Sequence, residues 1–87
     1  MTKEGTKQIL PEWFDGEVYT EGAEVTNPYS GCGCYLSPKE LSMYDFIKGS
    51  EMLLNQGIQS ESLVNAFYEG LWWFKDNNIE AYMILLD

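Results

Sequence analysis

The sequence predicts an α+β domain, with a small N-terminal antiparallel hairpin or meander packed on two to three C-terminal helices. Three observations carry this reading. Alternation with a period of two is confined to residues 17–26 and, more weakly, 32–36, so the β-structure belongs to the N-terminal half. From Ser37 onward apolar residues recur at spacings of three and four, the period of a helix. Strands that come first and helices that follow segregate the elements, unlike the regular alternation of a parallel βαβ sheet.

Residues 1–8 are polar and are expected to form a disordered tail, leaving residues 9–87 as one domain. Ile9, Leu10 and Pro11 open the ordered part, and Trp13 with Phe14 reads as an aromatic anchor laid on the core. Asp15-Gly16 marks a turn. In residues 17–26, Val18 and Thr20 alternate with Glu17 and Tyr19, and Ala23 and Val25 alternate with Glu24 and Thr26. Glu21-Gly22 between them fits a two-residue hairpin loop. Asn27-Pro28-Tyr29-Ser30-Gly31 is a turn cluster, after which residues 32–36 can return as a third strand of the meander. A lone hairpin is marginal in water, so the β-structure must pack on the helices.

The first helix is announced by Ser37, whose hydroxyl can accept from a first-turn backbone N–H. Pro38 suits the first helical position, and Glu40 completes an S-x-x-E capping box. Met43, Phe46, Ile47, Ser50, Leu53 and Leu54 share one face, and Gly57 is a C-terminal stop. Leu41, Tyr44 and Met52 lie off that face, near Asp45, Lys48 and Glu51. A second helix is expected from Ser60, with Leu63, Ala66, Phe67, Gly70, Leu71 and Phe74 as its buried stripe. Tyr68 and Trp72, four apart, point away from it, and Trp73 stands on the border. Asn77-Asn78 can end this helix and cap the next. The last segment reads as a short helix, which the spacing of Ile79, Tyr82, Met83 and Leu86 fits, or alternatively as a terminal strand.

Composition narrows the function. Fourteen acids against five bases, all lysine, give a net charge of -9. Without arginine the chain lacks the planar fork that best reads phosphates and base edges, so direct nucleic-acid binding is not expected. The absence of histidine removes catalytic triads, Cys-His pairs and His-based zinc sites together. No run approaches the length of a membrane span, and the opening residues lack the apolar stretch of a signal peptide. A cytoplasmic, reducing setting follows as the expectation, with no cofactor and no metal.

Three features could still carry chemistry. Cys32 and Cys34, in C-G-C, could form half of a shared zinc site or a strained redox pair. No lysine lies near them in sequence to lower a thiol pKa, and two small strand residues, one facing the core, is the simpler reading. Glu12, Asp15, Glu17, Glu21 and Glu24 cluster with no base between them. Paired carboxylates can hydrolyse glycosides or hold calcium, but there is no D-x-D-x-D-G loop, and a solvated acidic face is the plainer account. The third feature is aromatic surface: Tyr68 and Trp72 with Trp73 on one side, Leu41, Tyr44 and Met52 on the other. Tyr and Trp bury large areas at low entropic cost and are enriched in binding hot spots. The meander could cover one patch and the last helix the other, yet so short a chain is not expected to cover both.

The runs Trp13-Phe14-Asp15-Gly16, Asn27-Pro28-Tyr29-Ser30-Gly31, residues 41–47 and Glu80-Ala81-Tyr82-Met83 resemble small proteins encoded by bacteriophages of marine cyanobacteria. That resemblance covers most of the chain from Trp13 onward and brings no assigned activity or site residue. It implies a host-directed or virion-related role, and residence in the host cytoplasm. The sequence as a whole points to a non-enzymatic module that binds a protein partner or a second copy of itself. The alternative is an acidic decoy whose carboxylates imitate DNA phosphates and occupy a nucleic-acid-binding protein.

Overall fold

The first helix, α1 (Pro38–Asn55), is the element on which the others assemble in the computed structural model, which describes residues 9–14 and 16–86. Its start is the anticipated capping box. The Glu40 N–H donates to Ser37 Oγ at 3.2 Å, and the Ser37 N–H donates back to Glu40 Oε1 at 2.9 Å. Its end is equally local. Gly57 adopts φ +95 and its N–H donates to the Leu54 carbonyl, while the Ile58 N–H reaches the Leu53 carbonyl. This pair of bonds is a Schellman closure, which needs a residue at ease in the left-handed region.

The second helix, α2 (Glu61–Asn77), begins at Ser60, whose Oγ accepts from the Leu63 N–H at 3.2 Å. It lies along α1, and Gly70 makes the closest approach. A Cβ built there would stand 3.1 Å from Met43 Sδ and 3.3 Å from Ile47 Cγ1. The last segment is a helix and not a strand: α3 (Ile79–Leu85), capped by Asn78, whose Oδ1 accepts from the Ala81 N–H at 3.1 Å. Its inward face is carried by small and mid-sized residues. Ala81 and Leu85 are buried and Tyr82 half-buried, whereas Ile79 and Met83 are exposed. Turning the small Ala81 inward lets this short helix lie close to α2 and the sheet.

The β-structure is a two-stranded antiparallel hairpin, β1 (Ala23–Thr26) and β2 (Gly33–Leu36), in register Ala23↔Leu36 through Thr26↔Gly33. Val25 and Cys34 oppose one another on the inner face with Leu36 fully buried, while Tyr35 and Glu24 face outward. The loop is the Asn27–Gly31 turn cluster. Asn27 Oδ1 accepts from the Tyr29 N–H at 2.8 Å, its Nδ2 donates to the Ile84 carbonyl at 2.9 Å, and Gly31 takes φ +80.

The expected first hairpin across Glu21-Gly22 does not form, and there is no meander among the described residues. Residues 17–20 run instead beside α1, where the Tyr19 N–H donates to Ser42 Oγ at 2.9 Å and its hydroxyl to Asp45 Oδ2 at 2.9 Å. Gly22 sits so tightly under the Leu36 carbonyl that no side chain fits. Those contacts to α1 and β2 outweigh the local alternation of residues 17–20.

Leu36, Met43, Ile47 and Phe74 form the fully buried core, joined by Ala81 and Leu85. Each large apolar side chain removed from water contributes about 1.5–3 kcal/mol. Trp13 and Phe14 close the core from one side as anticipated, their rings 5.5 and 5.6 Å from that of Phe46. The expectation of a tail at residues 1–8 lies outside the described residues.

Candidate functional site: the aromatic face of the second helix

Along α2, one stripe turns inward and the opposite stripe stays in solvent. Gly70 and Phe74 are buried, with Phe67 and Leu71 half-buried beside them. Tyr68 and Trp72 stand one turn apart on the outer face and remain 56% and 72% exposed. The core is complete without them. Tyr68 rests its ring against Phe67 in an edge-to-face contact at 5.3 Å, which orients it without covering it.

Trp72 forms the wall between two grooves. One, of about 370 Å³, runs toward α3 and is lined by Tyr68, Leu71, Trp72, Lys75, Asp76 and Tyr82. In it the Lys75 ammonium lies 5.6 Å from the centre of the Tyr82 ring, a cation–π contact. The other, of about 400 Å³, runs toward the N-terminal segment and is lined by Pro11, Trp13, Tyr68, Glu69, Trp72 and Trp73. All three tryptophans of the chain therefore meet at this groove.

Its far wall is held in place by a specific bond. The Trp73 indole N–H donates to the Ile9 carbonyl at 2.8 Å, binding the N-terminal segment to α2 across the sequence. Trp73 is thus a half-buried support with one edge in the groove, and not a free anchor. Trp13 could not be assigned to this site from spacing. It arrives there because the N-terminal segment doubles back over Phe46.

The second expected patch separates. Leu41 and Tyr44 are half-buried against the core, with the Tyr44 ring 6.3 Å from Phe74. Met52 is left exposed alone. The reason is the packing of α2: Phe74, near its end, reaches the flank of α1 that carries Tyr44, so helix packing rather than a meander covers these residues.

Glu12, Glu17, Glu21 and Glu24 are all exposed, and Asp15 lies outside the described residues. Cys32 is exposed in the hairpin loop and Cys34 is half-buried on the inner face of β2, both as free thiols. Burial pushes the Cys34 thiol above its ordinary value, and the charges of Glu40, Glu24 and Glu80 push it the same way. That environment disfavours the thiolate that zinc binding or disulfide exchange requires. Among the described residues, no cluster of three or more His, Cys, Asp or Glu is placed to hold a metal ion. None of the described helices is long and apolar enough to cross a membrane.

Compared with protein-family models, curated proteins and solved structures, the chain matches none. The fold and site define a small α+β domain that presents an aromatic ridge between two grooves.

Proposed function

We propose that the chain is a small non-enzymatic binding module that docks another protein on the outer face of α2. One observation carries this: Trp72, the side chain type most enriched in binding hot spots, stays 72% exposed while the core closes without it. An exposed indole flanked by two apolar-walled grooves offers a partner a pocket on either side and a large area to desolvate. The resemblance to cyanophage proteins would make that partner a host protein or a virion component.

Pull-down from bacterial lysate with wild type and Trp72→Ala, each at low and high salt, tests the reading. A docking face predicts a partner that is lost with Trp72→Ala at either salt concentration. A DNA-imitating decoy built on the exposed glutamates predicts a partner that is retained by Trp72→Ala and released as salt screens long-range charge. The second result would replace this proposal with the decoy.

A further inference from the structure

Among the described residues, the groove that gathers the three tryptophans is also lined by one carboxylate, Glu69, and no lysine. Glu69 precedes Trp72 by three positions, so its carboxylate neighbours the indole on the helix surface, whereas Asp76 lines the other groove together with Lys75. Glu69 and Trp72 are both exposed. An aromatic face carries negative charge density, and the adjacent carboxylate adds formal charge to it. Such a surface attracts cations and repels anions. The neighbouring groove already shows the pairing within the molecule, where Lys75 covers Tyr82. Among the described residues that is the one cation placed over a ring, and Trp72 has none.

We infer that this groove receives an arginine side chain from a basic segment of a partner protein. The guanidinium stacks on the Trp72 ring and donates in its own plane to Glu69. Arginine suits an open aromatic wall better than lysine. Its planar group is weakly hydrated and can stack and fork to a carboxylate at once, whereas an ammonium must give up a tightly held water shell. The occupant is not a second copy. The chain contains no arginine, and at a net charge of -9 a self-association through this face would oppose like charges. The inference rests on the reading of α2 as a docking face and names the chemistry that face selects.

The test is an NMR titration of the full chain, following the Trp72 indole N–H, with four probe peptides. One is a short Gly/Ser peptide bearing arginines. The others are its lysine analogue, its citrulline analogue, which keeps the shape and removes the charge, and a neutral leucine-rich amphipathic peptide. The arginine peptide is expected to shift the Trp72 signal and to bind at least about ten-fold more tightly than the citrulline form. W72A should weaken it about ten-fold or more and E69Q about three- to five-fold, while E24Q, removing the same charge elsewhere, should change it less than about two-fold. Equal weakening by the two charge variants would reduce the effect to general attraction and overturn the site. So would an arginine peptide that leaves Trp72 unmoved. If the neutral peptide alone moves Trp72, the docking face survives and its charge selectivity falls. If no peptide moves it and the pull-down is indifferent to W72A, both fall together. A concentration-dependent dimer abolished by W72A would make a second copy the occupant and likewise overturn the inference.

Discussion

Asn78 Nδ2 donates to Glu40 Oε1 at 3.2 Å, joining the caps of two helices that start 41 positions apart (79 minus 38). Glu40 is 4% exposed, an unusual place for a carboxylate. Its position is explained by the company it keeps. The same oxygen accepts from the Ser37 N–H, closing α1, while Asn78 uses its own Oδ1 to close α3. A local cap thereby becomes a tertiary tie. Glu40→Ala is expected to cost more than an ordinary cap, about 2–3 kcal/mol, because it removes the acceptor of a part-buried backbone donor and of a part-buried side-chain donor together. Denaturant unfolding of Glu40→Ala, Asn78→Ala and the double variant measures the coupling, which should exceed about 0.5 kcal/mol.

Ser37→Ala removes the acceptor for the Glu40 N–H. It is expected to lower stability by about 0.5–2 kcal/mol without altering the fold, the usual range for a lost N-cap. An unchanged unfolding midpoint would show that the Ser37 hydroxyl does not support the start of α1.

These helix ends were legible because capping is local. Ser37 and Glu40, Ser60, Gly57 and Asn78 each act on backbone groups within a few residues, so spacing alone reveals them. Strand pairing is not local. Residues 17–20 and 32–36 both offered a partner to β1, and the choice is made by contacts that spacing does not show, such as Tyr19 with Ser42, 23 positions away. The site divides the same way. Tyr68 and Trp72 could be read from their placement off the apolar stripe, but Trp13 joins them only through the path of the N-terminal segment. Leu41 and Tyr44 were misplaced because the crossing of α2 over α1, set by Gly70, decides which flank of α1 is covered.

Trp72 and Phe74 provide a matched contrast two residues apart. Phe74 is fully buried, so Phe74→Ala should cost about 3–5 kcal/mol and unfold much of the population. Trp72→Ala on the outer face should stay within about 0.5 kcal/mol of wild type. Thermal unfolding of the two variants side by side checks this, and a large loss for Trp72→Ala would return that residue to the core.

The Tyr19 hydroxyl gives a pH signature. Its hydrogen bond to Asp45 holds the phenol above its ordinary value, aided by desolvation and by the charges of Asp45 and Glu17. Because the folded chain keeps this proton longer than the unfolded chain does, the stabilisation is complete below the unfolded pKa and is lost as pH rises through the folded one. Wild type should therefore exceed Tyr19→Phe in unfolding midpoint near neutrality. The difference should vanish as pH climbs beyond about 10, the ordinary tyrosine value. A difference that persists into strong alkali would show that the phenolic proton is not what matters.

Gly22 and Gly31 together test the topology of the hairpin. Had the chain turned at Glu21-Gly22, Gly22 would be a loop residue with open space around it, and alanine there would be tolerated. In the fold observed, a Cβ on Gly22 would collide with the Leu36 carbonyl and stand 2.7 Å from Tyr35 Cζ. The Tyr35 ring can swing away, but the carbonyl belongs to the end of β2, opposite Ala23, and cannot move without disturbing that pairing. Gly31 is the opposite case: nothing lies within 4 Å of its Cβ position, and only φ +80 resists a side chain. Gly31→Ala is thus expected to cost about 1–2 kcal/mol, the penalty of a left-handed residue. Gly22→Ala should reach or exceed the upper end of the about 1–3 kcal/mol typical of overpacking. Denaturant midpoints for the two variants decide it, and a Gly22→Ala protein as stable as wild type would mean that Gly22 is not held against the Leu36 carbonyl.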